Sequence, residues 1–256
     1  MLKPSRWAVS SLVACLLLLV ACTSPAPKSS PEKALQDHIQ LGLNYIREGN
    51  RDRARFHLQR ALSLDSRSPG AHDAMALLLQ TEKEYKLAEK HYKLAISYDK
   101  SFTRARNNYG VFLYDLERYD DAYRQFRIAG DDVTYRLRPQ VLNSAGITAY
   151  KIGKVEDARD AWEKALVLEP RYALPHLELA EYYFDKQDFA NARNYLEAFD
   201  KLSQPQPQSL WLAIRLESHF GNKDAVASKG LALKKLFPTS EENRLYQAWL
   251  SDDVKN

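Results

Sequence analysis

PGAHDAMALLLQTEKEYKLAEKHYKLAISYDKSF (residues 69–102) and TRARNNYGVFLYDLERYDDAYRQFRIAGDDVTYR (residues 103–136) are one pattern written twice, at a spacing of 34. The copies agree in side-chain size more than in identity: Ala76 aligns with Gly110, Ala88 with Ala122, Tyr92 with Phe126 and Ala95 with Ala129. The same columns run outward in both directions. Ala54 joins Ala88 and Ala122 at intervals of 34, and Ala158, Ala192 and Val226 form a second set at 34, with 36 between the sets. A small column reads Gly42, Ala76, Gly110, Gly146 and Ala180, then Ile214; a bulky column reads Leu58, Tyr92, Phe126, Trp162 and Leu196, and fails at Gly230. A further small column reads Ala61, Ala95, Ala129 and Ala165, then Phe199 and Leu233. Two helices of a hairpin cross closely only where small residues meet, and a bulky residue one turn later fills the space between hairpins. Pro170 and Pro238 close two of the units, and Gly49-Asn50 and Gly221-Asn222 suit left-handed turn positions between helices.

A helix–turn–helix period of 34 is that of the tetratricopeptide repeat (TPR). Six units follow, at about 35–68, 69–102, 103–136, 139–172, 173–206 and 207–238, with the two-residue excess between Asp131 and Pro139. After the divergent sixth unit, Thr239-Ser240-Glu241-Glu242 resembles a capping box that starts a final helix through about Leu250. Leu245, Tyr246, Trp249 and Leu250 are expected to cover the core face that a solenoid leaves open at its end. The expected fold is all-α: a right-handed superhelical solenoid of six TPR units over 35–238, with a C-terminal capping helix and tail over 239–256.

Composition agrees. Among 256 residues, nine Gly and eleven Pro are too few for a loop-rich all-β protein. Lys plus Arg less Asp plus Glu is 37 − 33 = +4, and Lys3 and Arg6 fall in the leader, which leaves about +2 for the rest. That balance argues against nucleic acid as the main partner, because phosphate neutralisation needs a concentrated cationic face. The one dense cationic stretch, Lys229 to Lys235, reads as a helix surface.

Residues 1–21 combine a short basic start with an apolar run from Trp7 to Ala21, the pattern of a signal peptide and too short for a membrane span. The run ends in Leu19-Val20-Ala21-Cys22, which resembles the bacterial lipobox, with Cys22 as the lipidated first residue of the mature chain. An earlier copy, Leu12-Val13-Ala14-Cys15, is the poorer site because cleavage there strands Leu16 to Val20 in the mature protein. Acyl chains contribute about 0.8 kcal/mol per buried methylene, and two chains hold stably. Thr23, where Asp is the usual inner-membrane signal, points to the outer membrane, facing the periplasm. Residues 22–34 then read as the lipidated Cys and a Pro/Ser tether, whose Pro/Ser stretch 23–31 at about 3 Å per residue spans roughly 30 Å.

Catalytic and metal motifs are missing from the sequence: it contains no HExxH, P-loop, GxSxG or GxGxxG. Neither cysteine lies beyond residue 22. His38, His72 and His176 share one repeat column and His57 and His91 another, which points to a packing role. Asp120-Asp121 and Asp131-Asp132 fall at helix starts or in loops, where carboxylates complement the helix dipole. The chain reads as a protein-binding module rather than an enzyme, with no cofactor, metal or small-molecule substrate.

In such a stack the first helix of each hairpin lines the concave groove through its fifth, ninth and twelfth positions. The ninth gives Leu43, Leu77, Val111, Ile147 and Glu181; the twelfth gives Ile46, Gln80, Tyr114, Tyr150 and Phe184; the fifth gives Ile39, Asp73, Asn107, Asn143 and Leu177. The expected groove is therefore Leu43, Leu77, Val111 and Ile147 as an apolar strip, with Asn107, Asn143, Tyr114 and Tyr150 beside it. Arg104 and Asn108 join them near the start of the third unit. Amides both donate and accept to a bound backbone, and tyrosines add area with a polar tip. Part of the strip also reads as inter-hairpin core. The Lys/Asn/Arg clamp for a C-terminal carboxylate is not apparent, since Ile39 and Leu43 occupy its place.

Three stretches carry a closer resemblance: Ile39-Gln40-Leu41-Gly42-Leu43-Asn44-Tyr45, Asn107-Asn108-Tyr109-Gly110-Val111-Phe112-Leu113-Tyr114, and Gly230 to Pro238 (GLALKKLFP). With the lipobox, they make the chain resemble the type IV pilus biogenesis and stability lipoproteins, the PilF/PilW family. The resemblance implies six TPR units on an outer-membrane lipid anchor. It also implies a pilotin role, helping the pilus secretin to reach the outer membrane and multimerise, with a secretin subunit as partner. A TPR lipoprotein scaffold for another envelope assembly machine is the alternative. An envelope enzyme carrying a TPR module finds no room outside 35–238.

Overall fold

The computed structural model describes residues 30–253, so the expected signal peptide, Cys22, most of the expected tether and the last three residues lie outside the described residues. Thirteen helices follow one another among the described residues, with no strand. They pair into six hairpins: α1 (Pro31–Arg47) with α2 (Arg51–Leu64), α3 (Pro69–Thr81) with α4 (Tyr85–Tyr98), α5 (Thr103–Asp115) with α6 (Tyr119–Gly130), α7 (Arg138–Lys151) with α8 (Val155–Leu168), α9 (Ala173–Asp185) with α10 (Phe189–Leu202), and α11 (Pro207–His219) with α12 (Lys223–Leu236). α13 (Glu241–Asp253) closes the stack. The chain is an all-α TPR solenoid.

α1 begins at Pro31, inside the stretch 22–34 expected as tether. Ser30 caps it, its hydroxyl accepting from Lys33 N at 3.2 Å, and Pro31 fits the first turn, where its missing N–H costs nothing. Asn50, Ser68, Asp188 and Asn222 cap other helices in the same way. The turn within every hairpin places one residue in the left-handed region: Gly49, Gly153 and Gly221, but also Lys83, Glu117 and Gln187. The hairpin geometry fixes this turn even where a side chain opposes it.

The small and bulky columns meet face to face. A Cβ on Gly146 would lie 2.4 Å from Trp162 Nε1, and one on Gly110 would lie 2.7 Å from the Phe126 ring. Hence the small member admits the bulky one. The sixth hairpin reverses the pair, with Ile214 in the small column and Gly230 in the bulky one. The reason is the cap: a Cβ on Gly230 would stand 2.0 Å from the Tyr246 hydroxyl, so α13 fills the slot from outside. Tyr246 is buried with Leu210, Ile214 and Leu233, and Trp249 and Leu250 pack against them. Leu245, expected in this cover, is instead 44% exposed. The N-cap is Ser240, which accepts from Asn243 N at 3.1 Å, one residue later than a box on Thr239 and Glu242 requires.

Ala54, Ala88, Ala122, Ala158 and Ala192 are fully buried. Ala122→Leu is expected to lower stability by about 1–3 kcal/mol through overpacking, with Lys86→Leu on the exposed side nearly neutral. Urea denaturation of the two variants measures the difference.

Candidate binding groove

Consecutive first helices touch one another (α1 with α3, α3 with α5, α7 with α9, α9 with α11), whereas consecutive second helices do not. The first helices therefore form the inner side of the curve. Along it runs an apolar strip in which Leu43, Leu77 and Ile147 are half-buried against the core and Val111 is 41% exposed. A cleft of about 700 Å³ between α1 and α3 is lined by Leu43, Ile46 and Leu77 with Gln40, Arg47, Gln80 and Thr81 at its rim. A second, of about 240 Å³, lies between α5 and α7, lined by Val111, Tyr114, Phe126, Ser144, Ile147 and Thr148.

Much of the polar chemistry on this face laces neighbouring repeats together. Arg104 Nε and Asn108 Nδ2 each donate at 2.9 Å to the fully buried Asp73 carboxylate of the preceding hairpin. Gln80 donates to Asp115, the Tyr150 hydroxyl to Asp185, and Arg215 to Glu181 at 2.6 Å. Burial pushes Asp73 above the ordinary carboxylate range, while Arg104 and Asn108 pull it back.

The expected site residues accordingly divide. Leu43, Leu77, Val111, Ile147, Tyr114 and Asn107 line or flank the groove. Tyr114 stands edge-on to Tyr119 at 5.2 Å, with Lys151 Nζ 6.0 Å from its ring centre. Tyr150 is part of the groove wall but its hydroxyl is engaged by Asp185. Arg104 and Asn108 hold Asp73 and are not free ligands. Asn143 corrects the expectation of an exposed amide: it is 3% exposed, and its Oδ1 has no hydrogen-bond partner.

Three groove residues were not read from the sequence: Asp73 as a buried anchor, Lys151, and Glu178. Glu178 lies three residues before Glu181 and so shares its helix face, which is the one signal that points to it. Burial, then the Glu181 charge, pushes its carboxyl up to about 7, with Lys151 partly opposing.

The histidine columns are structural in geometry. His72 Nε2 donates to the Ser66 carbonyl at 3.1 Å, which leaves its Nδ1 to accept from His91 Nδ1 at 2.9 Å; His38 and His57 pair likewise at 3.0 Å. Burial takes His91 down to about 4, so the pair is neutral near pH 7. No group of three His, Cys, Asp or Glu suited to a metal occurs among the described residues.

A stack of helix hairpins with an apolar inner face and repeat-to-repeat polar lacing defines a TPR protein-interaction scaffold, a non-enzymatic class. Residues 38–68 and 143–207 match tetratricopeptide repeat family patterns. The type IV pilus assembly protein PilF of Pseudomonas aeruginosa is 37% identical over 217 residues, which is 85% of this chain and 86% of that protein. The solved structure of P. aeruginosa PilF superposes with a TM-score of 0.79 at 36% identity, covering 86% of this chain and 99% of that one. PilW, a widely conserved type IV pilus biogenesis factor, superposes at 0.72 and 24% identity, covering 84% and 99%. The chain belongs to the PilF family of type IV pilus TPR proteins.

Proposed function

We propose that this chain is an outer-membrane lipoprotein, anchored through Cys22 and facing the periplasm. It acts as a pilotin, binding a segment of the pilus secretin in its concave groove and promoting secretin localisation and multimerisation. The observation that carries the groove is the strip Leu43, Leu77, Val111 and Ile147, which keeps apolar surface open on the inner face of the stack. The lipobox ending at Cys22, followed by Thr23, supports the anchor. Kinship with pilus assembly proteins supports the pathway.

Binding energy in such grooves concentrates in a few central contacts. Val111→Glu combined with Tyr114→Ala is expected to weaken secretin association by at least ~2 kcal/mol and to reduce secretin multimers and surface pili. Lys86→Ala with Lys90→Ala, on the exposed side of α4, serves as the silent control. Circular dichroism checks that the groove variant is folded. Normal multimers in a folded, correctly located groove variant overturn the groove reading. Recovery of a different envelope complex favours the scaffold alternative.

Cys22→Ala is expected to leave the protein unacylated and released from the outer membrane, while Cys15→Ala changes little. Intact mass and membrane fractionation report both. Loss of acylation only in the Cys15 variant moves the cleavage site.

A further inference from the structure

The stack is not uniform. α1 and α3, α3 and α5, α7 and α9, and α9 and α11 pack side by side, but α5 and α7 do not. The cause is the longer connection at 131–137. It brings the start of α7 down onto the end of α6: Arg138 Nε donates to the Gly130 carbonyl at 2.8 Å, and a Cβ on Gly130 would lie 3.1 Å from the Leu142 side chain. Settled against α6, α7 draws away from α5, and the 240 Å³ cleft opens between them.

Its lining, Val111, Ile147, the Tyr114 and Phe126 rings and the Thr148 and Ser144 side chains, is mainly apolar and has room for one large side chain. Nearby, Lys151 Nζ is held 5.3 Å from the Tyr119 ring centre and 6.0 Å from that of Tyr114. On α9, Glu181 has Arg215 as its ion-pair partner. Glu178 has none: among the described residues it makes neither a hydrogen bond nor an ion pair, although it lies close enough to Tyr114, Tyr150 and Lys151 to perturb or be perturbed by them. A partly buried carboxylate without a contacting cation is costly in isolation, and an arriving Lys or Arg offsets that cost through charge-assisted hydrogen bonds.

We propose that the cleft between α5 and α7 anchors the protein segment bound in the groove. That segment places one large apolar side chain between Val111 and Ile147 and a neighbouring Lys or Arg against Glu178. The inference rests on the reading of the groove as a protein-binding site and supplies the chemistry of its ligand.

The probe is a random dodecapeptide library displayed on phage, panned against the mature chain, residues 22–256. The expected enriched sequences pair a large aliphatic or aromatic residue with Lys or Arg a few positions away. For a synthetic peptide of the leading sequence, replacing that basic residue by Glu is expected to reduce affinity about tenfold. Glu178→Lys reduces affinity for the parent peptide similarly and restores binding of the Glu-bearing peptide. Val111→Trp, which fills the cleft from an exposed position, weakens the parent peptide with circular dichroism unchanged. No enrichment, enrichment without a basic preference, or charge reversal without rescue each overturns the proposal. A selected motif of the expected kind together with no secretin association overturns the secretin reading and leaves this one standing.

Discussion

Trp162→Ala is expected to destabilise the protein by about 3–5 kcal/mol, the cost of emptying a large, fully enclosed aromatic site. Trp162 is 1% exposed, lies against Gly146 so closely that no Cβ fits between them, and forms a core cluster with Ala149, Ala158, Leu179 and Tyr182. It therefore joins the fourth hairpin to the fifth. Its indole N–H is buried without an acceptor, so shape rather than hydrogen bonding fixes it there. Trp162→Phe removes that unpaired donor and places at this position the residue that the third hairpin uses, Phe126. Its expected cost is below about 1.5 kcal/mol. Urea denaturation of both variants tests the pairing; similar midpoints for Trp162→Ala and wild type would contradict the register of the columns.

Arg104→Ala is expected to cost about 3 kcal/mol, because it leaves the Asp73 carboxylate fully buried with only Asn108 as a side-chain partner. The direction with pH separates this from a simple packing loss. Asp73 already titrates above the unfolded value because of burial, and removing Arg104 raises it further. A group with a raised folded pKa binds more protons folded than unfolded, so it contributes stability at low pH that is lost as pH rises from the unfolded value through the folded one. The deficit of Arg104→Ala should therefore be full at neutral pH and shrink on acidification, as Asp73 becomes protonated and no longer needs a cation. Asp73→Asn in the Arg104→Ala background should recover part of the loss at pH 7. A deficit independent of pH would show that Arg104 acts through its guanidinium over the Phe102 ring, 5.0 Å from the ring centre, rather than through Asp73.

The groove illustrates how far residue types alone can be read. Leu43, Leu77, Val111 and Ile147 occupy the inner strip because the ninth position of a first helix has a fixed azimuth, set by the 3.6-residue turn and the hairpin crossing. The polar residues beside them follow no such rule. Asn107 and Asn143 hold equivalent positions, yet Asn143 is enclosed, as Ile39, Asp73 and Leu177 are in the same column, whereas Asn107 is only half-buried because α7 does not pack beside α5.

The repeat period and the small and bulky columns of the core are legible in the sequence. These depend on local sterics, small against bulky within one hairpin, which repeat visibly at 34. Tertiary structure alone decided what the groove's charges do. Asp73 meets Arg104 and Asn108 across 31 and 35 residues, Glu181 meets Arg215 across 34, and Glu178 feels the Lys151 charge but has no ion pair among the described residues. It also decided that Gly230 is a socket for Tyr246 rather than a failed repeat position, and that a cleft opens between α5 and α7. Each of these depends on the offset between neighbouring hairpins. A shift of an ångström or two there makes or breaks a hydrogen bond, while the column of residue types that would report it stays the same.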